Sequence, residues 1–258
     1  MTQAQIQWVA LTTIVAKEIR RFMRIWQQTL VPPAITMSLY FVIFGNLIGP
    51  RIGEMHGVDY MSFIVPGLIM MSVITNAYGN VASSFFSNKF QKSVEELMVA
   101  PVHPLTILAG FIAGGVARGV CVGVIVTLLS LYFTSLEIHH LLIVVGIVVL
   151  SAVLFSLGGF INAVHARKFD DISIIPTFVI TPLTYLGGVF YSIDLLPQHW
   201  QWLSQLNPIL YMVNTFRYGI LGVSDVGVGI SFLMMFVFIV LLGGYSVFLL
   251  KRGTGMRQ

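Results

Sequence analysis

The sequence predicts an all-α membrane protein with six transmembrane helices in a single permease domain covering residues 1–258. Three observations carry that prediction. The 258 residues are 57% hydrophobic and only 9% charged, whereas soluble domains run at about 25% charged; a mean hydropathy of +0.89 does not suit a surface that faces water. Six apolar stretches reach the ~20 residues that a spanning helix needs. The basic residues form short clusters beside those stretches, the pattern of membrane topology rather than of nucleic-acid binding, so the net charge of +4 implies no nucleic-acid partner.

Residues 1–28 come first. Trp8, Leu11, Val15, Ile19, Phe22 and Trp26 recur at steps of three and four, while Lys17, Arg21 and Arg24, with Arg20 beside them, fall elsewhere on the helix. An aromatic stripe opposed to basic residues suits a helix lying in the lipid interface; a core-facing helix of a soluble cap is the alternative. The lead is polar and basic, so no cleavable signal is expected.

The six-span core follows over 29–250. The spans are expected at 29–49, with Pro32 and Pro33 in the first turn, then at 62–86, 105–133, 140–164, 172–191 and 228–250. A cytosolic tail occupies 251–258. Glycines at 110 and 114, and at 115, 119 and 123, give the third span two faces for close helix packing. Residues 89–102 read as a short amphipathic helix stopped by Pro101. Val94, Leu97 and Met98 form its apolar face and Glu95 and Glu96 are exposed, which suits helix-in-groove docking of a cytosolic partner.

Between the last two spans, Asn207-Pro208 splits a half-apolar segment. Asn is a good cap and Pro a good first helical residue. Each half makes a helix of roughly 20 Å, too short for a hydrocarbon core of roughly 30 Å, so 194–221 is expected to form a re-entrant pair at the interface. With six spans and the N-terminus inside, eleven Lys and Arg residues fall on the inner side and only Arg51 and Arg217 on the outer side. That bias puts both termini in the cytoplasm of the inner (plasma) membrane.

The chemistry is informative by what is missing. No G-x-x-x-x-G-K-[ST] motif occurs, so no P-loop nucleotide site is expected in this chain. Every Asp and Glu falls outside the spans or at a span edge, although ion-coupled transporters place carboxylates within them. Arg118 is the one charge deep in a span. It is either satisfied by neighbouring carbonyls or faces a translocation pathway. Cys121 is the lone cysteine, and the adjacent His139-His140 pair is expected to point apart, so no metal site and no catalytic set is expected.

These residues resemble the type-2 ABC exporter permeases over nearly the whole chain. The resemblance rests on the amphipathic lead, the six spans, V-E-E-L-M-V-A-P at 94–101 and L-G-G-V-F-Y-S at 186–192, which holds Gly187 and Gly188. It rests also on N-P-I-L-Y-x-x-x-x-x-R, which holds Asn207, Pro208, Tyr211 and Arg217. Within the family the chain is most similar to enterobacterial-type inner-membrane transport permeases sharing T-L-V-P-P, F-G-N-L-I-G and F-I-V-P-G-L-I-M-M-S-V-I-T-N-A-Y. The resemblance implies that 1–28 is the family's connecting helix, that the helix holding Glu95 and Glu96 couples to the ATPase, and that 194–221 caps the outer exit. It implies two copies of this chain working with two ABC ATPase subunits, which would bind the ATP and Mg. The expected function is export of an amphiphilic drug-like, lipid or glycan substrate by a subunit that is not itself an enzyme. A stand-alone secondary transporter or channel is the alternative, disfavoured by the missing carboxylates.

Overall fold

Long apolar runs whose peptide groups must be satisfied without water leave helix as the only economical backbone. The computed structural model describes residues 2–253, and helices occupy most of them; Arg257 and the rest of the expected tail lie outside the described residues. Helix α1 (Gln3–Arg24) opens with a capping box, in which Thr2 and Gln5 exchange side-chain to backbone hydrogen bonds. Five helices are long and apolar enough to cross a membrane: α2 (Trp26–Ile52), α3 (Tyr60–Phe90), α5 (Pro104–Ser130), α6 (Leu141–His165) and α10 (Val228–Arg252). The shorter helices are α4 (Ser93–Val99), α7 (Asp171–Leu186), α8 (Gln198–Gln205) and α9 (Pro208–Leu221). Strands β1 (Glu54–Met55) and β2 (Val58–Asp59) pair antiparallel between α2 and α3. Their turn, His56-Gly57, has positive φ at both residues, as a two-residue type I′ turn requires.

Four expectations change. The expected span 172–191 is represented by the shorter α7, about 24 Å long at 1.5 Å per residue. Its Pro176–Ile180 stretch is π-helical, and it stops at Leu186 because the chain turns at Gly188, where φ is +71°. Among the described residues, five long apolar helices and the shorter α7 stand at the positions of the six expected spans. The second span runs on to Phe90, so the amphipathic segment 89–102 contracts to α4; Lys92 adopts a left-handed conformation and separates the two helices. Helix α9, expected as one arm of a re-entrant pair, is buried along most of its length against α3, α6 and α10. Helix α1 is not free in the lipid plane, because Ile14, Glu18 and Phe22 are buried and the helix packs along α5.

Helix α3 is the centre of the bundle. It contacts α5, α6 and α9, and Phe63, Ile64, Leu68, Met70 and Ile74 are wholly buried. Asp59 caps it by accepting from the Met61 amide at 3.0 Å. The two glycine faces of α5 work as the spacing predicts. Gly110 and Gly114 receive Ile14 and Glu18 of α1, and Gly119 and Gly123 lie against Ala77 and Val73 of α3. A Cβ on Gly114 would come within 2.5 Å of the Glu18 Cβ, so Gly114→Leu is expected to lower stability by about 1–3 kcal/mol through overpacking. Gly244→Leu, on the exposed face of α10 with open space around it, is expected to be neutral. Thermal melting in detergent compares the two.

Candidate coupling and pathway sites

The α4 segment is anchored on one side and open on the other. Val94 is buried, Leu97 and Met98 are half-buried against the neighbouring core, and Glu95 is half-buried while Glu96 is exposed. Val99, which the sequence reading passed over, is 86% exposed. Two clamps fix the flanks. Gln7 of α1 donates to the Pro101 carbonyl at 3.1 Å and accepts from the His103 amide and the Thr106 hydroxyl. The buried Lys89 ammonium donates to the Val164 and Ala166 carbonyls at 2.6 and 2.7 Å, closing the C-terminal end of α6 as a cation does favourably. Neither Gln7 nor Lys89 stood out in sequence, since each acts on a residue far along the chain.

A polar stripe on α3 meets α1 and α5. Asn76, Asn80, Ser84 and Asn88 recur every four residues and so share one helix face. Arg118 donates to Asn76 Oδ1 at 3.1 Å, and Arg21 to Asn80 Oδ1 at 2.8 Å. Ser84 donates to Glu18 Oε1 at 2.7 Å, and Lys17 to Asn88 Oδ1 at 2.6 Å. Arg21 also lies 3.4 Å from Glu18, which is fully buried. Lys17 and Arg21 thus reach polar groups of the protein, Arg21 half-buried and Lys17 still exposed, as are Trp8, Arg20 and Arg24. Arg118 is half-buried; it reaches the Thr29 carbonyl as well as Asn76, and its Nε has no partner among the described residues. The four-residue spacing of the stripe was the available signal.

At the other end of α3, Arg217 is completely buried. It donates to the carbonyls of Phe63 at 3.2 Å and Gly188 at 2.7 Å and to Asn214 Oδ1 at 3.3 Å, with its guanidinium 3.8 Å over the Phe63 ring. Gly188 reaches it because Val189 packs backbone to backbone on Gly67; a Cβ there would lie 2.7 Å from the Val189 carbonyl oxygen. Gly187 is similarly close to Ile209. Asn207 caps α9 through Ile209 N, with Pro208 in the first turn, and its amide donates to the Leu183 carbonyl at 2.6 Å. The Tyr211 hydroxyl donates to the Gln205 carbonyl. The motif residues therefore join α3, α7 and α9 into one knot. Beside it His56, Asp194 and Asp225 converge, a grouping the sequence analysis did not foresee because their positions lie far apart in the chain. His139 and His140 also do not point apart. They precede α6 in extended chain, with rings 4.3 Å apart.

Tyr40 and Phe44 of α2, Tyr185 of α7 and Phe190 just beyond α7 form an aromatic cluster whose contacting ring centroids lie 4.8–6.1 Å apart. Both helices carry a π-helical stretch, at Phe41–Ile48 and Pro176–Ile180, a departure common at functional positions.

A bundle of long apolar helices, an amphipathic lead docked on it and a short helix between the second and third long ones describe a membrane transport subunit. The model of the ABC-2 type transporter family matches residues 9–221, and the chain belongs to that family. It is 62% identical to the inner membrane transport permease YadH of Escherichia coli strain K12 over 253 residues, which cover 98% of this chain and 99% of that one. More distantly, it is 22% identical to nodulation protein J of Rhizobium leguminosarum bv. viciae over 215 residues, 83% of each chain. The protein is a multi-pass inner-membrane transport permease.

Removing the Arg217 side chain orphans buried carbonyls that cost about 1–3 kcal/mol each. Arg217→Ala is expected to destabilise by about 3 kcal/mol, and Arg217→Lys to rescue little, because an ammonium lacks the planar fork; Arg24→Ala is expected to leave the melting temperature unchanged. A pH effect is expected at the turn before α7. The Asp171 carboxylate accepts from the Arg167 and Lys168 amides at 2.8 and 3.0 Å, which holds its pKa below the usual carboxylate value. Its stabilisation is present above the unfolded carboxylate pKa and is lost as pH falls through the lower, folded value. The protection of the Arg167 and Lys168 amides, measured as exchange relative to the intrinsic rate at each pH, is expected to fall over that acid range in the wild type and to be low throughout in Asp171→Ala.

Proposed function

We propose that this chain is the membrane half of an ATP-driven exporter, working as two copies with two ABC ATPase subunits that bind the ATP and Mg. The observation that carries the proposal is α4. A seven-residue helix between two long membrane helices keeps Val94 buried for its own anchorage and leaves Glu96 and Val99 open. Gln7 and Lys89 tie its flanks to α1 and to the end of α6, so a push on α4 reaches three membrane-associated elements at once. A groove on an ATPase is the partner that such a helix fits.

In this reading α7, continued by residues 187–191, completes a sixth crossing, and the α8–α9 segment caps the outer side. The clusters of Lys and Arg at α1, at the α3–α4 junction, at Arg167-Lys168 and at Lys251-Arg252 put both termini and α4 in the cytoplasm. The half-buried aromatic cluster of α2 and α7, with Tyr185 as its most open ring, faces the second copy and lines the route. Aromatic and methyl-rich walls, with the half-buried Arg118 as a cation whose Nε is unpartnered among the described residues, suit an amphiphilic cargo, lipid-like or drug-like, more than a bare ion.

The test is co-purification. Tagged permease is expected to bring down an ABC ATPase in equimolar amount, and the triple variant E95A/E96A/L97A to lose it at least tenfold while remaining monodisperse in detergent. Transport reconstituted from the permease alone, driven by an ion gradient, would overturn the reading.

A further inference from the structure

We propose that His56, Asp194 and Asp225 form a binding site for a transition-series divalent cation, with zinc as the fitting ion, that ties the β1–β2 hairpin to the segment after α7 and the loop before α10. One ligand atom from each of the three lies within 4.8 Å of the others. They come from three separate segments: the tip of the hairpin, the 3-10 turn Ile193–Leu195 and the loop between α9 and α10.

The spacing is the first reason. His56 Nε2 and Asp225 Oδ1 are 3.5 Å apart, too long for a good hydrogen bond. Ligands at 2.0–2.1 Å on a tetrahedral zinc stand about 3.4 Å from each other. The pair is therefore already at the separation of two ligands on one ion. The free valences are the second reason. Asp225 Oδ2 is occupied by Ser192 and by the Ile193 amide, but Oδ1 faces the imidazole and accepts no hydrogen bond among the described residues. The Asp194 carboxylate likewise has no hydrogen-bond or ion-pair partner among them. Arg217, the nearby cation, spends its guanidinium on Phe63, Gly188 and Asn214. Two carboxylates thus share a small space in which neither has an Arg or Lys partner among the described residues.

The support is the third reason. Ser192, buried at the end of the L-G-G-V-F-Y-S run, touches all three ligand residues. Its hydroxyl lies 2.8 Å from His56 Nε2, donates to Asp225 Oδ2 at 3.2 Å and accepts from the Asp194 amide at 3.4 Å. On metal binding the imidazole contact yields to the ion, and Ser192 remains as the outer partner that orients Asp225. One nitrogen and two carboxylate oxygens, with water in the fourth place, match zinc better than magnesium or calcium, which take oxygen cages. His56 sits at a positive-φ position of a tight hairpin, so its backbone has little freedom to carry the ring elsewhere.

The experiment uses the full-length permease in detergent, with its affinity tag removed, stripped with EDTA and then titrated with Zn²⁺ alone by calorimetry. One Zn²⁺ per chain is expected, together with a higher melting temperature that EDTA reverses. His56→Gln, Asp194→Asn and Asp225→Asn are each expected to weaken binding at least tenfold, while the double variant H139Q/H140Q keeps it. The Co²⁺-loaded wild type is expected to show the intense visible bands of a four-coordinate N/O site, a readout that does not depend on any variant folding. Absence of stoichiometric Zn²⁺ in the wild type, or Zn²⁺ lost only in H139Q/H140Q, would overturn the proposal. Neither readout uses transport or an ATPase, so failure here is separable from failure of the exporter reading.

Discussion

A stripe of amides and hydroxyls on the most buried helix of a membrane bundle is the constraint on which the rest of this structure depends. Asn76, Asn80, Ser84 and Asn88 turn toward the same side of α3, and lipid offers them nothing to bond. Their own backbone carbonyls satisfy part of the need: the amides of Asn76 and Asn88 donate one turn back, to Ser72 and Ser84. Side chains brought in from other helices meet more of it, although Asn80 Nδ2 has no partner among the described residues. Arg118 arrives from α5 and Lys17, Glu18 and Arg21 arrive from α1. Helix α1 is therefore part of the bundle, held by hydrogen bonds to charged groups that are stronger than neutral ones and by the glycines of α5 that let it approach.

The opposite end of α3 shows the same logic with one residue in place of four. Arg217 could not be buried alone at tolerable cost. Three acceptors and an aromatic face surround it, and they belong to α3, α9 and the Gly187-Gly188 turn. Its demand explains why α7 ends where it does. The Gly188 carbonyl must reach the guanidinium, which needs a left-handed turn and a close approach of Val189 to Gly67. A continuous helix through residue 191 would carry that carbonyl away.

Much of this was legible in the sequence. Apolar run length gave the long helices to within a few residues, since the bilayer sets their length and composition exposes it. Asn207-Pro208 marked the start of α9, and the two glycine faces of α5 were read correctly from their spacing. What escaped were contacts between distant positions. The basic residues of α1 were assigned to the surface by amphipathic spacing, yet Lys17 and Arg21 face asparagines some sixty or seventy positions away. The length of α9 points to one arm of a re-entrant pair, but it does not show that the helix is buried against α3, α6 and α10. Periodicity reports which face a residue is on; it does not report what meets that face.

The two polar nodes have a mechanical consequence under the exporter reading. Both lie on α3, one near each end, and α4 follows α3 after a single break at Lys92. An amide ladder with charged partners resists shear, because sliding α1 along α3 would break several charge-assisted bonds together. Helices α1, α3 and α5 then move as one body when α4 is displaced. Relative motion is left to helices joined to α3 by apolar contact and irregular backbone. Those are α2 and α7, which carry the π-helical stretches, the prolines and the half-buried aromatic cluster. Stiffness near the coupling helix and compliance along the aromatic wall are what a transporter needs if a push from one side of the membrane is to reshape a path through it.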